Sequence, residues 1–189
     1  QPIIALLPGS RKQEISKMLQ VMLSVVADFP GYQFVIAGAP SQEFSFYEPY
    51  LKNPKIKFIS NKTYDLLSNA HAALVTSGTA TLETGLLKIP QVVVYKTDWL
   101  FYSLAKLLVK IKYISLVNII LDKLAVPELI QVQFTSQHIQ LNLNNLLSED
   151  SNERKSQLAD YEKLAEIIGP AGASKKTATL IFQAAQSAK

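Results

Sequence analysis

Val75-Thr76-Ser77-Gly78-Thr79-Ala80-Thr81-Leu82-Glu83 follows the apolar run Ala72-Ala73-Leu74-Val75 and leads into Leu82-Glu83-Thr84-Gly85-Leu86-Leu87. The first run reads as a buried strand and the last as a helix. One glycine and four hydroxyl side chains lie between them. The first turn of a helix carries backbone N–H groups without partners and the positive end of the helix dipole. Such a turn suits an anion, most often a phosphate. Ser77, Gly78, Thr79, Ala80 and Thr81 are therefore the candidate anion-binding residues. Glu83 lies four residues after Thr79, on the same helix face, where its carboxylate can accept hydrogen bonds from sugar hydroxyls. The alternative is an ordinary strand-to-helix junction with a threonine cap.

Upstream of this stretch the chain alternates strand and helix. Ile3-Ile4-Ala5-Leu6-Leu7 is a continuous apolar run, as expected for a strand covered on both faces. Pro8-Gly9-Ser10-Arg11 breaks it. A helix follows, with Ile15, Met18, Leu19, Met22, Val25, Val26 and Phe29 on one stripe. Ser10 and Gln13 have capping-box spacing, and Pro30-Gly31 stops the helix. Gln33 to Ala37 is the second strand, closed by Gly38. Residues 41–51 read as a helix with Phe44, Tyr47 and Leu51 inward. Residues 56–59 read as a third strand, 61–70 hold a short helix, 72–75 are the fourth strand and 92–95 the fifth.

Five strands separated by crossover helices predict an α/β fold with a doubly wound parallel sheet. Ligands in such sheets bind beyond the carboxyl ends of the strands, where the strand order reverses. In the order 3-2-1-4-5, strands one and four are neighbours at that reversal. The loop with Ser10 and Arg11 would then face the loop with Ser77 and Gly78 across one crevice. Arg11 is the best single anion contact, because its planar fork matches phosphate and its position at a helix start is otherwise disfavoured by the dipole.

With 189 residues, 48% of them hydrophobic, the chain can bury a real core. It has no cysteine, which excludes disulfides and thiolate metal sites. The net charge of +4 suits anionic ligands or an anionic membrane surface; no nucleic-acid partner is expected. No apolar stretch reaches the roughly 18 residues of a membrane span. The chain starts Gln1-Pro2-Ile3, directly on a strand, so it reads as part of a longer protein with an upstream portion.

After the fifth strand the character changes. Leu100, Leu104, Leu107, Leu108 and Ile111 form a helical stripe, opposed by Ser103, Lys106 and Lys110. Trp99, Phe101 and Tyr102 cluster at one end, and Lys112 follows. Such a helix either packs on a core or lies on a membrane surface. Asn118, Glu128 and Gln131 are polar residues in apolar surroundings and need partners, structural or ligand. Residues 136–147 form a helix with Ile139, Leu143, Leu146 and Leu147 inward. Residues 151–189 read as a helical tail of two peripheral helices, separate from a domain over 1–150 and resting on the upstream portion.

Other chemistries are missing. No Gly-x-Gly-x-x-Gly or Walker sequence occurs, nor a nucleophile elbow. His71 and His138 stand in unrelated segments, and His71 precedes the fourth strand at its amino end, so it reads as structural.

Leu7-Pro8-Gly9-Ser10-Arg11 with Glu14-Ile15, the stretch 76–83, and Pro90-Gln91-Val92-Val93-Val94-Tyr95-Lys96 together resemble lipid-A-disaccharide synthase. Leu104-Ala105-Lys106, Leu108-Val109-Lys110, Tyr113-Ile114-Ser115-Leu116 with Asn118, and Glu128-Leu129-Ile130-Gln131 continue the likeness in order. Val117 stands where that family usually has Pro, and Asp122-Lys123-Leu124 where it usually has Gly-Arg-Glu. The resemblance implies the C-terminal half of a GT-B inverting glycosyltransferase, with Rossmann-like domains facing a cleft. It implies transfer of diacylglucosamine from UDP-2,3-diacylglucosamine to lipid X, on the inner face of the inner membrane, without a metal or organic cofactor. Under it, Ser10, Arg11, Ser77 to Thr81 and Glu83 hold UDP, and residues 61–67 border the uracil. Asn118, Glu128 and Gln131 lie on the donor-sugar side. Trp99, Phe101, Tyr102, Lys106, Lys110 and Lys112 face lipid or membrane. The general base belongs to the N-terminal half, and a homodimer is one assembly the reading allows. Two other readings stay open: another GT-B enzyme acting on UDP-GlcNAc, an epimerase or soluble transferase, and a non-catalytic interaction module.

Overall fold

A computed structural model describes residues 1–97, 112–170 and 172–187. Its sheet contains β1 (Ile3–Leu7), β2 (Gln33–Gly38), β3 (Ile56–Ser60), β4 (Ala70–Thr76), β5 (Gln91–Tyr95) and β6 (Glu128–Ile130). The order is β3-β2-β1-β4-β5-β6, and the pairings are parallel. The order reverses between β1 and β4, as the alternation of elements predicts. The sixth strand is a correction to the five expected. Three residues, one of them Glu128, are too few to show a period, and only pairing with β5 makes them a strand.

The strands are covered on both sides because they are apolar at consecutive positions. Ile4, Ala5 and Leu6 are fully buried in β1, and Val92, Val93 and Val94 in β5. Ile4, Leu6, Phe34, Ile36, Leu74 and Val94 share one face with α1 (Lys12–Met22) and α6 (Ser136–Leu147). Ala5, Leu7, Val35, Ala73 and Val75 share the other with α3 (Thr63–Ser68) and the flank of α4 (Thr79–Leu86). Beyond them Val93 meets Val117 of α5 (Leu116–Leu121) and Tyr161 and Leu164 of α7 (Asn152–Ile168). Fully burying one such aliphatic side chain is worth about 1.5–3 kcal/mol, so this two-sided packing is the main source of stability.

Local details depart from the sequence reading. The first crossover helix ends at Met22, and a 3-10 turn, Leu23–Asp28, carries Val25 and Val26 into the core. The expected capping box is replaced. Arg11 is the N-cap residue without a side-chain bond, and Glu14, not Gln13, accepts from the Ser10 N–H at 3.2 Å. Gly9 permits this, since its φ is +101° and a Cβ there would overlap the Glu14 carboxylate. The segment 41–51 is only one helical turn, Phe44–Tyr47, then a 3-10 turn, because Pro49 removes a donor. Phe44, expected inward, is 51% exposed with its ring edge-on to Phe58, while Tyr47 is sealed and its hydroxyl accepts from the Ala39 N–H at 2.9 Å.

The first helix of the expected tail, α7, packs on the sheet. Gln157, Tyr161 and Leu164 of α7 are buried against the sheet domain. Arg154 donates to the carbonyls of His71 (3.0 Å) and Leu146 (2.8 Å). This helix is a structural part of the domain. The final helix, α8 (Ala173–Ser187), exposes Leu180, Ile181 and Phe182. Among the described residues no helix is long and apolar enough to cross a membrane.

Candidate functional site

Leu7 pairs with Val75, so β1 and β4 end side by side. The two loops chosen from the sequence therefore leave the sheet at neighbouring points. Ser10 and Arg11 are exposed on the first loop, and Gly78 and Thr79 on the second. The Ser10 carbonyl accepts from the Ser41 hydroxyl at 2.9 Å, which ties the first loop to the end of β2. Thr79 and Ala80 open α4, so their N–H groups have no intrahelical carbonyl. A Cβ built on Gly78 meets nothing within 4 Å, so the space above the turn is open. Glu83 is half-buried one turn further along the helix.

The hydroxyls of this turn divide the work. Thr81 is fully buried, and its Oγ1 donates to the Gly78 carbonyl at 2.8 Å, so its side chain shapes the turn and is not directed at a ligand. The Ser77 hydroxyl donates to the Ile114 carbonyl at 2.8 Å, which ties the turn to the chain leading into α5. Thr76 is 4% exposed at the carboxyl end of β4, and its hydroxyl oxygen has no partner. Backbone N–H groups, the helix dipole and the Arg11 guanidinium are among the groups left to meet an anion.

The expected donor-sugar residues are engaged differently. Asn118 is fully buried, and both ends of its amide are occupied. Its Nδ2 donates to Val126 O (2.8 Å) and Glu128 Oε1 (2.8 Å), while Oδ1 accepts from the Ala125 and Val126 N–H groups. A sugar contact from Asn118 is therefore not supported: with no open donor or acceptor, it braces the frame. Glu128 accepts from the Ile114 N–H (2.9 Å) and the Ser115 N–H (2.9 Å), placing its carboxylate at the positive end of α5. Gln131, at φ +51°, exchanges both amide bonds with the Thr97 backbone.

Trp99, Phe101, Tyr102, Lys106 and Lys110 lie outside the described residues. Lys112 is exposed, pairs with Asp122 at 3.0 Å and lies 4.9 Å from the Tyr113 ring centroid. The Asp122 bond, then that with Tyr113, raises its pKa above the ordinary lysine value.

The sequence reading missed a basic rim beside the crevice. A groove of about 380 Å³ runs between the first turns of α1 and the end of β5, lined by Arg11, Lys12, Lys17, Tyr95, Lys96 and Thr97 among others. A second, of about 390 Å³, continues it past Lys96 to Gln131 and Val132. Lys96 had a readable signal, since it directly follows the strand beside β4. Lys12 and Lys17 had none, because only the fold brings them to the groove with Lys96. A further groove of about 390 Å³, lined by Asn142, Asn145 and Gln157 among others, opens at the amino ends of β5 and β6, away from this site. Among the described residues no group of three or more His, Asp or Glu side chains could hold a metal ion.

The chain is similar to known proteins. A family model for lipid-A-disaccharide synthetase matches residues 1–182. The lipid-A-disaccharide synthase of Anaeromyxobacter sp. (strain K) is 37% identical over 182 residues, covering 93% of this chain and 47% of the relative. That of Syntrophus aciditrophicus (strain SB) is 34% identical over 184 residues, covering 94% and 48%. The chain thus spans about half the length of these relatives. Among solved structures, the glycosyltransferase SnogD from Streptomyces nogalater aligns with a TM-score of 0.57 at 20% identity, covering 95% of this chain and 44% of that one. The glycotransferase of kitacinnamycin aligns at 0.59 and 13%, covering 96% and 42%. At those identities the likeness speaks for the fold, a Rossmann-like domain of GT-B glycosyltransferases. The match over nearly the whole sequence, with that fold, shows that the chain belongs to the lipid-A-disaccharide synthetase family.

Proposed function

We propose that residues 1–150 with α7 form the nucleotide-sugar domain of a lipid-A-disaccharide synthase. The donor is UDP-2,3-diacylglucosamine, the acceptor lipid X, and the product the lipid A disaccharide. The observation that carries this reading is the side-by-side exit of the β1 and β4 loops at the reversal of strand order, with Leu7 level with Val75. N–H groups of Gly78, Thr79 and Ala80, with Ser10 and Arg11, hold the UDP diphosphate. Ser77 and Thr81 keep the turn in shape through Ile114 and Gly78. Glu83 accepts from the ribose. As the sugar is transferred, negative charge grows on the leaving diphosphate, and preorganised N–H dipoles with a guanidinium stabilise it. Inversion requires a base to take the proton of the acceptor hydroxyl, supplied from outside these residues. Glu128 and Gln131 frame the donor-sugar side. The segment with Trp99, Phe101, Tyr102, Lys106, Lys110 and Lys112 faces lipid at the inner face of the inner membrane, and α8 rests on the N-terminal domain.

Titration calorimetry with UDP tests the reading. The chain binds UDP, and Glu83→Ala weakens it about fivefold, the worth of one hydrogen bond. Unchanged affinity removes Glu83 from the site, and no UDP binding by the wild type removes the nucleotide reading. Sedimentation with anionic vesicles separates this enzyme from a soluble UDP-GlcNAc transferase, which would stay in the supernatant.

A further inference from the structure

The β4–α4 turn is short, and something must hold α4 at the correct height above the sheet. A buried polar chain does so. Thr81 N–H and Oγ1 both bond the Gly78 carbonyl, at 3.2 and 2.8 Å. The Thr81 carbonyl in turn accepts from Gln91 Nε2 at 2.9 Å. The same Nε2 reaches the Tyr161 hydroxyl at 3.2 Å, and that hydroxyl donates to Gln157 Oε1 at 2.8 Å. Gln157 closes the chain on the Gln91 backbone, accepting its N–H at 2.6 Å and donating to its carbonyl at 3.1 Å. Gln91, Gln157 and Tyr161 are all at most 2% exposed.

Two features indicate that the arrangement is set by α4. Gln91 Oε1 is buried without a partner. Turning the amide over would set an oxygen against the Thr81 carbonyl and against a Tyr161 hydroxyl whose proton is already donated to Gln157, so the contact with α4 fixes the orientation. Gly85 then lets α7 close on α4. A Cβ at that position would lie 3.1 Å from Leu164 Cδ2 and 3.3 Å from Tyr161 Cε1.

We propose that Gln91 and Tyr161 are positioning residues for diphosphate binding: α7, through them and Thr81, sets the pitch of α4 and the aim of its N–H groups. The proposal rests on the reading of the Gly78 turn as a diphosphate site. It assigns an effect on ligand binding to a helix that touches no ligand. Ligand-observed NMR titrations of UDP and of uridine against wild type, Gln91→Met and Tyr161→Phe test it, well below each protein's Tm. Uridine lacks the diphosphate, so its affinity stays constant. UDP weakens about fivefold in Gln91→Met, which loses the bond to Thr81, and less in Tyr161→Phe. Tyr161→Phe keeps the ring and serves if Gln91→Met does not fold. A merely structural role would lower Tm in both and leave the UDP-to-uridine ratio at the wild-type value, and that result overturns the proposal. Wild type binding UDP no better than uridine would instead reject the diphosphate reading itself, and the proposal with it.

Discussion

The polar regions around Gly78 and Asn118 are built in opposite ways. Around Gly78 the turn leaves space above the backbone and donors with no intrahelical partner. Around Asn118 each polar end meets a partner within the protein, from Val126 and Ala125 to Glu128 and the start of α5. Both regions read as polar residues among apolar ones. An open donor at a helix start can meet an anion, whereas a buried amide with four bonds can only brace. The Ser77–Ile114 bond joins the two, so the brace helps hold the open turn.

The contrast predicts where each kind of substitution is felt. The largest effect is expected at the brace. Asn118→Ala leaves the Val126 N–H and carbonyl without their partner in a buried place and takes one of two acceptors from the Ala125 N–H, a cost of about 3 kcal/mol. Urea unfolding would show it as a lower midpoint at unchanged slope; a midpoint equal to wild type would mean the loop is not held by this amide. Next comes the open side. Arg11→Ala is expected to weaken UDP about tenfold while leaving Tm in place, because an exposed guanidinium contributes to the ligand and not to the core. Calorimetry paired with a thermal melt decides, and a large fall in Tm would erase the distinction between the regions.

The smallest effect near neutral pH concerns the buried phenols. Burial raises the pKa of Tyr161 above its ordinary value, its bonds with Gln91 opposing the shift only in part, and burial raises Tyr47 too. Their protons are retained in the fold after the unfolded chain begins to lose them at about pH 10. The unfolded state then binds fewer protons, so the phenols' contribution to stability is level below about pH 10 and falls above it, by at most about 1.4 kcal/mol per pH unit for each phenol. Tyr161→Phe should flatten that decline by one proton's worth in alkaline unfolding curves. An unaltered slope would mean that the Tyr161 phenol does not contribute to it.

Much of the fold was legible because burial on two faces writes itself as unbroken apolar runs. Ile3-Ile4-Ala5-Leu6-Leu7 and Val92-Val93-Val94 needed no partner to be read as strands. The α1 stripe from Ile15 to Met22 and the bounds of α6 were equally plain from their 3.6-residue period. β6 was not legible, since three residues carry no period. Nor was the integration of α7, whose contact with the sheet includes, beside Leu164, the polar Gln157 and Tyr161, which look like a solvated face.

The sequence alone determined the strand-and-helix alternation, the two loops worth inspecting and the family resemblance, because these are properties of consecutive residues. Tertiary structure decided which polar groups are open. Thr81, Asn118 and the Gln91 Nε2 are closed by partners 3 to 10 residues away, or as far off as Tyr161, and hydrogen-bond saturation depends on distance in space. It also brought Lys12 and Lys17 to the same groove as Lys96, a juxtaposition that exists only in the folded chain.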